Sequence, residues 1–171
     1  MRVISGRARG TKLIAPKGLE TRPTSDKIKE SLFNIISFEL YDSTVLDLFS
    51  GSGALGIEAL SRGAKKSVFV DISKEACKVI QENINKTRFE HQATIYNMSI
   101  GQALDQLGNE QKQFDWIFMD PPYNKNIIDE TVPMIIKNNL LSTHGNIVIE
   151  RSSSEAMSNY SGLELWKERK Y

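Results

Sequence analysis

The chain has 171 residues, 40% of them hydrophobic and 25% charged, which suits one ordinary globular domain. No apolar run approaches the ~20 residues of a membrane span, and no signal-peptide pattern opens the chain, so a cytoplasmic protein is expected. Net charge is only +1, but residues 1–30 hold eight Lys/Arg against three acids (+5) while the remainder holds 14 against 18 (−4): a cationic opening on a mildly acidic body, as expected of a face that meets a polyanion.

In chain order, Arg2–Ile4 and Thr11–Ala15 are short β-prone pieces around a Gly6/Gly10 turn. They predict a basic hairpin with Arg7 and Arg9 at its tip. Pro16-Lys17-Gly18 breaks the strand, and a loop follows to Pro23. A helix capped by Thr24 or Ser25 then runs to about Glu39, with Ile28, Leu32, Ile35 and Ile36 on one face.

A regular alternation comes next. Strands are expected at Val45–Phe49, Ser67–Val70, Ala93–Tyr96, Phe114–Met119 and Asn146–Glu150. Between them lie helices at Ala54–Ser61, Lys74–Asn85, Gln102–Leu107 and Asp129–Asn138, with Pro133 disturbing the last. Leu163–Lys170 is read as a final antiparallel strand, and Cys77, Trp116 and Trp166 as packing residues. The alternation predicts an α/β Rossmann-like fold, a mostly parallel sheet covered on both faces, preceded by the hairpin and first helix. No repeat or linker divides it. A single cysteine fits a reducing compartment, and two distant histidines, His91 and His144, are expected to play no ligand role.

Gly51-Ser52-Gly53-Ala54-Leu55-Gly56 matches G-x-G-x-x-G between a strand and a helix, with Asp71 twenty positions after Gly51. Such a turn brings backbone close to a ligand, and an acid at that distance suits ribose hydroxyls. The pattern fits a nicotinamide cofactor or another adenosine-bearing ligand. Asp47 separates them: a carboxylate on the approach to the turn opposes a pyrophosphate and suits a cationic ligand such as S-adenosylmethionine. A dehydrogenase and a non-catalytic adenosine- or RNA-binding module are the alternatives.

Asp120-Pro121-Pro122-Tyr123 follows the strand Phe114–Met119. Two prolines fix their own φ and restrict the residue before each, so the turn holds an acceptor, a carbonyl and a flat ring stiffly. That arrangement serves any planar amine, whether guanine N2, adenine N6 or a glutamine amide.

Asp47–Gly53, Asp71 and Asp120–Tyr123 resemble the motif set of class I amino-methyltransferases. The opening, Arg2–Gly6, Arg9-Gly10, Lys12-Leu13, Arg22–Thr24, Asp26 and Glu30–Asn34, resembles the RsmD family, which methylates guanine N2 of 16S ribosomal RNA in the bacterial small subunit. The resemblance spans nearly the whole chain and implies a single S-adenosylmethionine-dependent domain, monomeric, with residues 1–22 for RNA and 24–171 as catalytic core. It implies cofactor contacts from Asp47, Phe49, Gly51, Ser52, Gly53, Asp71, Ile72, Ser99 and Asp120. Asp120 and the Pro121 carbonyl would accept the amine N–H groups, with Pro122 as stiffener and Tyr123 stacking on an unpaired or flipped base. Arg2, Arg7, Arg9, Lys12, Arg22 and Thr24 would hold the RNA. Two departures stand out. Ser99 replaces the acid or amide many relatives direct at adenine, and the family fold usually adds another strand beyond the Lys167–Tyr171 region, so the sheet is expected to lack that edge.

Overall fold

The structure, a computed structural model, describes residues 1–16, 24–36, 39–122, 126–152 and 158–170. Helix α1 (Thr24–Ile36) is followed by an alternation of β1 (Thr44–Leu48), α2 (Ala54–Ser61), β2 (Lys66–Asp71), α3 (Lys74–Thr87), β3 (Ala93–Asn97), α4 (Ile100–Asn109), β4 (Phe114–Met119), α5 (Ile127–Lys137) and β5 (Leu141–Ile149). All four strand pairings are parallel, in the order β3-β2-β1-β4-β5. The order reverses between β1 and β4, and in such sheets the crevice beyond the strand ends at that reversal is where ligands bind.

Side chains alternate along each strand and sort into two apolar layers. Val45, Phe69, Trp116 and Phe118 face α1, α2, α3 and the N-terminal hairpin. Leu46, Leu48, Val70, Ile117 and Met119 face α4 and α5. Helix α3 shows the local logic: Ser73 caps it by accepting from the Ala76 N–H, Val79, Ile80 and Ile84 line its inner face, and Arg88 closes it in the left-handed region. Pro133 sits inside α5. The helix starts at Ile127, two residues before the expected Asp129, so Pro133 does not delay it.

The hairpin is docked as a further layer. Arg2 and Lys12 form its one antiparallel bridge, and Val3, Ala8 and Leu13 are buried. Its attachment runs through a buried carboxylate: Glu58, fully buried in α2, accepts the Ile4 and Ser5 N–H groups and pairs with Arg62 (2.9 Å) and Lys29 (3.5 Å). Lys29, whose pKa burial lowers, also donates to the Arg2 carbonyl. Lys29, off the apolar stripe of Ile28, Leu32, Ile35 and Ile36, is nevertheless drawn inside by the Glu58 carboxylate.

At the hairpin tip Gly6 has φ +81°, and a Cβ there would lie 1.8 Å from the Ser61 carbonyl oxygen. Gly6→Ala is therefore expected to lift the tip from α2 and cost about 1–3 kcal/mol through the clash alone. Denaturant unfolding of the variant against the unmodified protein checks this.

The antiparallel strand expected over Leu163–Lys170 does not form; the segment carries no strand pairing. Among the described residues Leu163 packs against the core, as does Tyr160 before it, while Leu165 and Trp166 are 66% and 63% exposed, so no alternating face is buried to fix a register. Trp166 is thus a surface residue beneath the Lys167 ammonium, not a packing residue.

Candidate active site

The pairing registers bring the acids to one edge. Leu48 of β1 lies level with Val70 of β2 and Met119 of β4, and Met119 with Ile149 of β5. The next residues, Asp71, Phe49, Asp120 and Glu150, therefore stand side by side at the carboxyl ends of four adjacent strands. Neighbouring strands are ~4.8 Å apart, so Asp71 and Asp120 flank β1 about 10 Å from one another. Asp47 lies two residues deeper on β1, in phase with Val45 and on the α2 side of the sheet.

The turn between β1 and α2 is built on left-handed residues: Phe49 (φ 58°), Gly51 (φ 55°) and Gly53 (φ 76°). Ser50 anchors it, donating through its hydroxyl to the Asp47 carbonyl and accepting from the Val70 N–H. At Gly51 an added Cβ would meet nothing nearer than 3.9 Å, so the backbone faces open space there. Asp71 closes the turn from β2, accepting from the Gly51 N–H (2.9 Å) and the Ser73 N–H (2.8 Å). Beside it Ile72 is 72% exposed, an apolar side chain held in water at the mouth of the crevice.

Asp47 is 2% exposed and accepts from the Gly56 N–H at 2.9 Å. Gly56 belongs to the first turn of α2, whose unsatisfied N–H groups would otherwise receive a pyrophosphate. The chain has filled part of that position with its own carboxylate. Burial pushes the Asp47 pKa up to about 8, with the Gly56 hydrogen bond opposing and the Asp120 and Asp71 charges adding to the rise.

Asp120 emerges from β4 into the buried Pro121 and exposed Pro122. The Asp120 side chain is itself exposed on one side, with buried Pro121 behind it. Partial desolvation of the carboxyl, and secondarily the Glu150 carboxylate, push its pKa up to about 7. Glu150 is fixed beside it by its N–H, which donates to the Met119 carbonyl at 2.8 Å. Tyr123 and Arg22 lie outside the described residues, as does the side chain of Thr24 at the start of α1. Ser99 lies after β3 and caps α4, accepting from Gln102 N–H and donating to the Gln102 side chain. Its hydroxyl is committed to the helix end.

The basic residues are less concentrated than the sequence suggests. The hairpin runs along the groove between α2 and α3 with its open end at the glycine turn: Asn83 of α3 bonds Ile14 and the Ser52 carbonyl, and Ser52 Oγ lies 3.6 Å from Met1 Sδ. Its tip sits on Ser61, at the other end of α2; eight helical residues at ~1.5 Å each put about 12 Å between the two. Arg7 donates to Gln92 and lies over the Phe89 ring, and with Arg9 it stands at the edge away from Asp120. Sequence reading missed two residues that the fold brings in. Lys86 donates to the Lys12 carbonyl and joins the hairpin's basic face, a position that no local signal marks. Glu150 had a signal, an acid directly after a buried strand, shared with Asp71 and Asp120.

A family model described as conserved hypothetical protein 95 matches residues 1–171. Ribosomal RNA small subunit methyltransferase D of Haemophilus influenzae is 35% identical over 172 residues, covering 99% of this chain and 88% of that protein. The protein of the same name from Escherichia coli K12 is 33% identical over 150 residues, covering 88% and 74%. A solved structure of a conserved hypothetical protein from Streptococcus pyogenes superposes with a TM-score of 0.76 at 37% identity, covering 84% of this chain and 88% of that one.

Proposed function

The chain belongs to the RsmD family, and from that premise we propose that it methylates the exocyclic N2 amine of a guanine in 16S ribosomal RNA, using S-adenosylmethionine. The observation that carries the donor assignment is the Asp47 carboxylate on the Gly56 N–H, which disfavours a pyrophosphate at the glycine turn and favours a cationic group.

The crevice fits the donor by its chemistry. Asp47 offers a buried acceptor to the ammonium end, Asp71 has carboxylate oxygens at the turn for ribose hydroxyls, and exposed Ile72 offers an apolar face to adenine. The open approach at Gly51 admits a ligand against bare backbone. When bound, S-adenosylmethionine supplies an electrophilic methyl group.

The remaining work falls to the acceptor turn. A guanine amine is a poor nucleophile because its lone pair is delocalised into the ring. The Asp120 carboxylate and the Pro121 carbonyl each accept one N–H, which localises the lone pair on nitrogen and favours the positive charge that develops there. Asp120, with its pKa raised, is suited to take the released proton. Tyr123 is assigned the stacking role by its place in the motif, a contact worth about 1–3 kcal/mol per base. The hairpin residues Arg2, Arg7, Arg9 and Lys12, joined by Lys86, hold phosphates, with Arg22 and Thr24 toward the start of α1. The partner is the small subunit or an assembly intermediate of it, the enzyme acts as a monomer, and the cytoplasm is its compartment. Among the described residues no helix is long and apolar enough to cross a membrane.

The test is methyl transfer from labelled S-adenosylmethionine onto naked 16S RNA, assembled small subunits and DNA, followed by nucleoside analysis. N2-methylguanosine in RNA is expected, with transfer falling steeply as salt rises because phosphate contacts release counterions. Label in DNA alone, or in N6-methyladenosine, overturns the guanine reading.

A further inference from the structure

Asn83 lies on the inner face of α3 among Val79, Ile80 and Ile84, where packing alone would place an apolar residue. It is fully buried, and its amide is committed in a directional way. Oδ1 accepts the Ile14 N–H at 2.8 Å, while Nδ2 donates to the Ile14 carbonyl and to the Ser52 carbonyl, each at 2.9 Å. Both donors are used, and turning the amide over would set Nδ2 against an N–H and Oδ1 against two carbonyls. No other side chain of this size supplies one acceptor and two donors in this geometry.

The residues it joins belong to different functions. Ile14 ends the second arm of the basic hairpin, and Ser52 is the middle of the glycine turn. Ser52 stands between two left-handed glycines, Gly51 and Gly53. The peptide joining Ser52 to Gly53 is held on both sides, its N–H donating to the Ser50 carbonyl at 2.7 Å within the turn and its carbonyl accepting from Asn83, so Asn83 is the link from that peptide to the hairpin. A second, independent contact ties the same residue to the hairpin's other end, Ser52 Oγ to Met1 Sδ.

We propose that Asn83 is a positioning residue that couples the glycine turn to the hairpin, so that binding of the methyl donor orders the RNA-binding arm and RNA bound to the arm tightens the donor. The proposal rests on the functional reading above. A ligand on the turn restrains the Ser52 peptide, which strengthens the hold of Asn83 on Ile14. Such coupling is reciprocal by thermodynamic necessity.

Hydrogen exchange of the unmodified protein, with and without saturating S-adenosylhomocysteine, tests it. The hairpin amides of Val3, Gly10, Leu13 and Ile14 are hydrogen bonded within or beneath the hairpin. Their exchange is expected to slow about fivefold or more on ligand binding, the lower end of ordinary coupling. In Asn83→Asp, which keeps the acceptor and loses both donors, the hairpin response is expected to vanish while circular dichroism shows the fold intact. Ligand binding with no change at the hairpin amides of the unmodified protein overturns the coupling, as does a full response in Asn83→Asp. If the variant does not fold, the response of the unmodified protein decides alone. No calorimetric signal with S-adenosylhomocysteine overturns the donor reading, and the coupling with it.

Discussion

Asp120→Ala is expected to lower single-turnover methyl transfer to ribosomal RNA by about 100- to 1000-fold, the scale of losing one preorganised group that stabilises developing charge. Donor affinity should fall far less, because the glycine turn, Asp47 and Asp71 are untouched. The same residue sets the acid limb of the pH profile. Its folded pKa is raised to about 7, chiefly by desolvation and then by Glu150. A raised carboxyl pKa means the proton is held to higher pH, and only the ionised form offers both oxygens as acceptors to the amine N–H and has room for the released proton. Transfer therefore rises with pH through about 7 and falls below it. Glu150→Gln, which removes the neighbouring charge, should move that limb to lower pH. A flat profile from pH 5 to 8, or an alanine variant as fast as the unmodified enzyme, would remove Asp120 from the chemistry.

Asp47→Asn is expected to weaken S-adenosylmethionine binding by about 10- to 100-fold. Hydrogen bonds to charged groups are worth about 1.5–3 kcal/mol, and asparagine keeps an acceptor for the Gly56 N–H while losing the charge. Because burial raises the Asp47 pKa to about 8, the ligand-free protein holds a proton there at pH 7. A cationic ligand favours the ionised form, so binding at pH 7 releases a proton and affinity grows as pH approaches 8. Calorimetry in two buffers of different ionisation heat reads the released proton directly. The asparagine variant should release none, and its affinity should be flat over the same range. Equal dissociation constants in the two proteins, or no proton released by the unmodified one, would sink the assignment.

Much of this site is legible in the chain because its signals are local. Apolar periodicity marks every strand of the sheet, the glycine run marks the turn after β1, and Asp47, Asp71 and Asp120 each sit within or next to a short apolar strand. Five such strands separated by helices have few ways to pack, and right-handed parallel crossovers bring their carboxyl ends to one edge. The acids then converge without any of them having to recognise another. Boundaries were less well marked. Leu141–Ile149 begins five residues before the expected Asn146 because a bulge between Phe114 and Trp116 carries the pairing onward. Leu163–Lys170 was expected as a strand, but Leu165 and Trp166 are exposed and the segment stays unpaired.

Composition by itself determined the cationic opening, and periodicity with the glycine turn determined the α/β core and the edge that carries the candidate site; these depend on residues a few positions apart. Only the tertiary structure decided that the hairpin lies along α2 and α3, with Arg7 at the edge away from Asp120 and its open end against Ser52. That placement depends on Glu58 accepting the Ile4 and Ser5 N–H groups and on Asn83 bridging Ile14 and Ser52, partners 31 to 69 positions apart. A buried polar group must find its hydrogen-bond partners wherever the fold supplies them. The sequence shows the group, and only the folded chain shows the partner.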